Sequence, residues 1–115
     1  MDMYDREVVL CASNAYTRKY YLNEHFKGLP ESVKEELQIM CVLYTEDVGG
    51  VLELVFDEDG YLEFRTNYEE NDFFYDEIGS VLKIKQYQNA KRELLESLET
   101  YYRIVFLGEG LDEEE

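Results

Sequence analysis

The run Val51-Leu52-Glu53-Leu54-Val55-Phe56-Asp57-Glu58-Asp59-Gly60-Tyr61-Leu62-Glu63-Phe64-Arg65-Thr66 decides the fold class. Turn-forming Asp57-Glu58-Asp59-Gly60 separates two segments in which apolar and polar residues alternate, the pattern of a β-hairpin. Successive strand side chains point to opposite faces, so Leu52, Leu54 and Phe56 share one face and should meet Leu62 and Phe64 of the partner strand. Val51, Glu53, Val55, Tyr61, Glu63 and Arg65 occupy the other, a mixed face that suits an antiparallel sheet with one side wet.

Upstream, Gly49-Gly50 ends a helix. From Glu31 the apolar residues recur at Val33, Leu37, Met40, Cys41 and Tyr44, the spacing of three and four of a helix face. Pro30 suits the first turn of that helix, and Glu31, Glu35 and Glu36 suit its positive end. Before it, Val8-Val9-Leu10-Cys11-Ala12 closes at the turn-prone pair Ser13-Asn14 and reads as a strand. Residues 16–23 alternate as a second strand would, although Tyr16, Lys19, Tyr20 and Asn23 also sit at helical spacing.

Downstream, residues 67–76 are polar and acidic, interrupted by Phe73-Phe74-Tyr75, and Asp76 has the character of a helix N-cap. No proline interrupts residues 77–107. Tyr87, Lys91, Leu94, Leu98, Tyr101 and Val105 make one stripe there, widened by Ile84, Ala90, Leu95 and Tyr102. A helix of that length would span about 45 Å, more than a small core needs. Either Gly79-Ser80 bends its start or one end projects. The expected fold is α+β in ββα-ββα order, residues 8–44 and 51–107. It has a four-stranded antiparallel sheet and two helices packed on one face. Residues 1–115 are expected to form a single domain, with a flexible acidic tail from about residue 109.

Several stretches together resemble a known family: Glu7 to Tyr16, Lys19 to Asn23, Ile39 to Gly50 and Tyr75 to Gln86. The family comprises small uncharacterised proteins from anaerobic Gram-positive bacteria and is catalogued only as a domain of unknown function. The resemblance covers nearly the whole chain apart from the acidic tail. It implies a stand-alone cytoplasmic protein and carries no activity, substrate or site residues.

Composition narrows the function classes. At 45% hydrophobic and 15% aromatic the chain has enough apolar surface to build a core, whatever its charge. A formal net charge of −16 argues against nucleic acid and anionic membrane as partners. The N-terminus lacks a basic, apolar leader, and no apolar run reaches the ~20 residues of a membrane span, so the cytoplasm is the expected compartment. The acids concentrate in residues 46–77, which hold twelve of them against the single base Arg65. Lys83, Lys85, Lys91 and Arg92 form a basic counterpart that could pair with that stretch.

Chemistry-bearing patterns are sparse. His25 is the one histidine, with no nucleophile or base at a recognisable spacing. Cys11 and Cys41, 30 residues apart within apolar runs, read as small hydrophobes and not as a disulfide scaffold or zinc ligands. Asp57-Glu58-Asp59-Gly60 places glycine fourth, where a calcium loop needs it sixth, and Tyr68 stands where that loop needs glutamate. The expectation is therefore no catalytic residue, no cofactor and no metal.

The leading reading is a non-enzymatic interaction module. A basic protein partner would dock on Glu46, Asp47, Asp57, Glu58, Asp59, Glu69, Glu70 and Asp72, and a homodimer would use Leu95, Tyr102 and Phe106. The alternative is an enzyme or small-ligand protein with a pocket between sheet and helices, lined by Tyr16, Tyr20, Phe64 or Tyr87.

Overall fold

Both strands of the quoted hairpin form, as β3 (Val51–Phe56) and β4 (Leu62–Asn67), in a computed structural model that describes residues 7–109. Leu54 stands opposite Phe64, and Phe56 opposite Leu62. Asp57 closes the turn. One of its carboxylate oxygens accepts from the backbone N–H groups of Asp59 and Tyr61, both at 2.9 Å, and Gly60 takes a left-handed φ of 91°. Side-chain acceptance and a left-handed glycine are what a tight turn requires, so Asp57 and Gly60 have a structural task here.

The first hairpin joins β1 (Val8–Asn14) to β2 (Lys19–Leu22). The strand alternation of residues 16–23 is realised only from Lys19. Asn14 Oδ1 accepts from the N–H groups of Tyr16 and Thr17, at 2.8 and 3.2 Å, and turns the chain before the strand begins. Arg18 completes the turn at φ 58°, alone among the described non-glycine residues in having a positive φ. The left-handed conformation costs a side-chain-bearing residue about 1–2 kcal/mol, and glycine's extra chain entropy returns up to about 1 kcal/mol of that. Arg18→Gly should therefore raise stability by about 0.5 kcal/mol, read as a higher urea midpoint at unchanged slope.

The two hairpins meet through their inner strands, giving the antiparallel order β2-β1-β3-β4. Leu10 is the extra residue of a bulge between Val9 and Cys11, and it is fully buried. The bulge aligns Cys11 and Ser13 with Leu54 and Leu52, on the face that receives the helices.

Helix α1 (Glu31–Val48) turns Leu37, Met40, Cys41, Tyr44, Thr45 and Val48 onto that face. Gly50 ends the connection at φ 70°. A Cβ there would lie 2.6 Å from the Asn67 carbonyl oxygen and 2.7 Å from the Tyr75 ring, so only glycine fits. A short 3-10 turn (Glu24–Phe26) swings Phe26 into the core and leaves His25 exposed. Phe26 stacks on Phe56 at 5.7 Å and on Phe106 at 4.8 Å, and Phe56 lies 4.1 Å from Tyr102.

The C-terminal half corrects the expected order. In place of one helix over residues 77–107 there are two, α2 (Glu77–Ala90) and α3 (Arg92–Val105), broken at Lys91 (φ −108°, ψ 26°). The described residues thus carry three α-helices, and the pair covering the sheet is α1, over β1 to β3, and α3, beside β4. Helix α2 leans on α1 instead. Strands of six or seven residues span roughly 20 Å, too short to cover both halves of a 45 Å helix, and the break brings the Leu95, Leu98 and Tyr102 face back onto the core. Glu109 is the one residue of the expected acidic tail that is described; residues 110–115 lie outside the described residues. Among the described residues, no helix is long and apolar enough to cross a membrane.

Candidate functional site

Residues 68–82 build a surface from a pinned loop and the start of α2. Tyr16 OH donates to Asp72 Oδ2 at 2.5 Å and accepts from the Glu69 N–H at 3.0 Å. The other oxygen of Asp72 accepts from the Phe74 N–H at 3.0 Å. Tyr68 stacks on Tyr75 at 4.1 Å and donates to the Glu77 carboxylate. Below, the Tyr44 hydroxyl meets those of Tyr75 (3.2 Å) and Ser80 (2.6 Å), and Asp76 Oδ1 caps α2 by accepting from the Gly79 N–H.

The loop is thus held at both ends and in its middle, yet it keeps Phe73 and Phe74 out of the core. They are 88% and 96% exposed. Ile78, Val81 and Leu82, at the i, i+3, i+4 spacing of one helix face, are 76%, 54% and 63% exposed. Five large apolar side chains within ten residues therefore face outward. Glu69, Glu70, Asp76 and Glu77 are exposed around them, with Asp72 half-buried at the loop's base.

The structure distributes the expected acidic docking residues. Glu69, Glu70 and Asp72 adjoin the phenylalanines. Asp57, Glu58 and Asp59 sit at the opposite end of the β3–β4 hairpin, about 17 Å away by strand rise. Asp47 pairs with Lys83 at 2.9 Å, so part of the basic segment answers the acidic one within the chain. Lys91 pairs with Glu36, at 3.3 Å. Glu46 is exposed on α1 beside a different cleft. Of the candidate dimer residues, Leu95 and Tyr102 are buried in the chain's own core and leave a second copy almost nothing to touch; Phe106 keeps 37% exposure. The residues expected to line one pocket are likewise dispersed. Tyr16 belongs to the pinned loop, Tyr20 and Phe64 lie on opposite edge strands, and Tyr87 is half-buried on α2.

Sequence reasoning noted Phe73-Phe74-Tyr75 as an interruption and missed the surface it begins. The signal was present in phase. At 100° per residue, Ile78, Val81 and Leu82 fall opposite the stripe through Ser80, Ile84 and Tyr87 that faces α1. No sequence signal marked the thiol pair. Cys11 Sγ and Cys41 Sγ lie 3.8 Å apart, buried and free, and the Cys41 thiol is pushed up by its hydrogen bond with Cys11 and by burial. The neighbouring Tyr20 hydroxyl is buried with no hydrogen-bond partner among the described residues. Among those residues, no group of three or more His, Cys, Asp or Glu could hold a metal ion.

Burial raises the phenols of Tyr20, Tyr44, Tyr87 and Tyr102 above their usual value near 10. The folded state then holds these protons longer than the unfolded state does. Their contribution to stability is constant below about pH 10 and falls as pH rises toward the folded-state values. In an alkaline titration these four should ionise late and together with loss of the fold; Tyr16, raised by burial and its bond to Asp72, and Tyr68, raised by its bond to Glu77, should also ionise late. Full phenolate absorbance from all 11 tyrosines while the circular dichroism stays native would contradict this.

Residues 7–110 match the model of a family of unknown function, DUF6145. No curated protein and no solved structure matches the chain.

Proposed function

The chain belongs to this family of unknown function, and we propose that it is a non-enzymatic interaction module that docks a protein partner through Phe73, Phe74 and the outer face of α2. The observation that carries this is a rigidly braced loop that spends its hydrogen bonds holding two phenylalanines in water. Burying a large apolar side chain is worth about 1.5–3 kcal/mol, which the isolated fold forgoes at each of these positions. Contiguous apolar surface rimmed by polar groups is the mark of an interaction site.

Charge narrows the partner. A second copy meeting the same patch would bring two sets of Glu69, Glu70, Asp76 and Glu77 together, and like charges at close range oppose such a pairing. An apolar groove rimmed by lysine or arginine fits, and the net charge of −16 would steer it in. A tagged pull-down from native lysate, washed at low and at high salt, tests the reading. One stoichiometric basic protein is expected, weakened at high salt. Bait alone at both salts would refute it.

A second reading rests on a separate observation. Ile104, Val105 and Leu107, beside Phe106 at the end of α3, are 44%, 57% and 40% exposed, which supports self-association there. Light scattering that returns a 13.7 kDa particle at high micromolar concentration would remove it.

A further inference from the structure

A cleft of about 590 Å³ opens between the β1–β2 turn and α1, and it shares no lining residue with the apolar surface of residues 68–82. Its size falls within the range of small-ligand sites, ~300–1,000 Å³. Arg18, Lys19 and Tyr20 line one side, and Gln38, Val42 and Glu46 of α1 line the other. Ser13 and Thr45 also line it; both are buried, and their hydroxyls join β1 to α1 at 2.8 Å.

Three features of this cleft call for a ligand. Lys34, Arg65, Lys83, Lys91 and Arg103 each have a carboxylate within 4 Å; of the other described lysines and arginines, Arg18, Lys19, Lys27, Lys85 and Arg92, only Arg18 and Lys19 line this cleft. Glu46 lines the same cleft without closing an ion pair to either, so opposite charges share one concavity unjoined. Finally, Arg18 holds a left-handed turn position that glycine would fill with less strain, so the turn itself does not explain the arginine.

We propose that the cleft binds a small zwitterion of the amino-acid class. The carboxylate would be held by the forked guanidinium of Arg18, within the positive potential of Lys19. The ammonium would be held by Glu46, and the apolar portion would lie against Val42 and the Tyr20 ring, with Gln38 offering both a donor and an acceptor. A simple anion would be repelled by Glu46, and a simple cation by Arg18 and Lys19; a molecule carrying both charges satisfies both walls.

The test is a titration of the isotope-labelled full chain with glycine, leucine, glutamate and arginine, followed by amide chemical shifts. At least one should give saturable shifts confined to residues 15–20 and 38–46. Arg18→Gly, which preserves the turn, and Glu46→Gln should each weaken binding about tenfold or more. Phe73→Ser/Phe74→Ser should bind unchanged, which separates this site from the docking surface. No saturable shift with any of the four at millimolar concentration would overturn the proposal. So would acetate or methylammonium shifting the same amides as strongly, or Arg18→Gly binding as the parent does.

Discussion

Replacing Phe73 and Phe74 together with serine is expected to abolish partner capture while leaving stability within about 0.5 kcal/mol of the parent. The two halves of this result have different causes. In the isolated chain the rings are 88% and 96% exposed, so their removal leaves no cavity and unpairs no buried group. The loop is held by Asp72, Tyr16, Tyr68 and Tyr75, none of which is altered. In the complex both rings become buried, and the lost transfer energy is about 3–6 kcal/mol for the pair. Each 1.4 kcal/mol is tenfold in affinity, so capture should fall by roughly two orders of magnitude or more. Quantified recovery of the partner beside a urea melt of the variant checks both halves. Undiminished capture would move the docking site elsewhere, and a large loss of stability would mean that the rings pack within the chain.

Phe56→Ala carries the largest expected cost to the fold, about 3–5 kcal/mol. Phe56 is fully buried at the end of β3, 4.1 Å from Tyr102 of α3 and 5.7 Å from Phe26 of the 3-10 turn. Truncation removes ring burial, leaves a cavity and breaks the stack that ties α3 to the sheet. A domain's total stability is about 5–15 kcal/mol, so this variant should be strongly destabilised, with a large fall in urea midpoint. Any rise in the exposure of Tyr102 should appear as an earlier alkaline titration of that phenol, because burial is what raises it. A midpoint shift below about 1 kcal/mol would mean that the aromatic stack contributes little to holding α3.

Much of the framework was readable in advance because its signals are local. The Asp57-Glu58-Asp59-Gly60 turn, the alternation on either side of it, the 3–4 spacing from Val33 to Tyr44 and the Gly49-Gly50 stop each depend on neighbours a few residues away. The first hairpin was readable only in part. Asn14 diverts Tyr16 and Thr17 into a turn, and a side-chain acceptor can do that without disturbing the apolar alternation. The candidate site was harder. The acids of residues 46–77 were visible as a group, but a hairpin carries its tip away from its ends, so Asp57 and Glu69 do not share one face.

The sequence by itself determined the α+β class, the β3–β4 hairpin, helix α1 and the sheet face that carries Leu52, Leu54 and Phe56, because periodicity and turn chemistry are properties of short segments. Only the tertiary structure decided where the C-terminal helix breaks, which apolar face of α2 stays uncovered, that Leu95 and Tyr102 point inward, and that Cys11 meets Cys41. Those outcomes turn on which distant surface covers a given face. An amphipathic stripe says that it needs a cover, and the packing of the whole chain settles whether that cover is this protein's own sheet or another molecule.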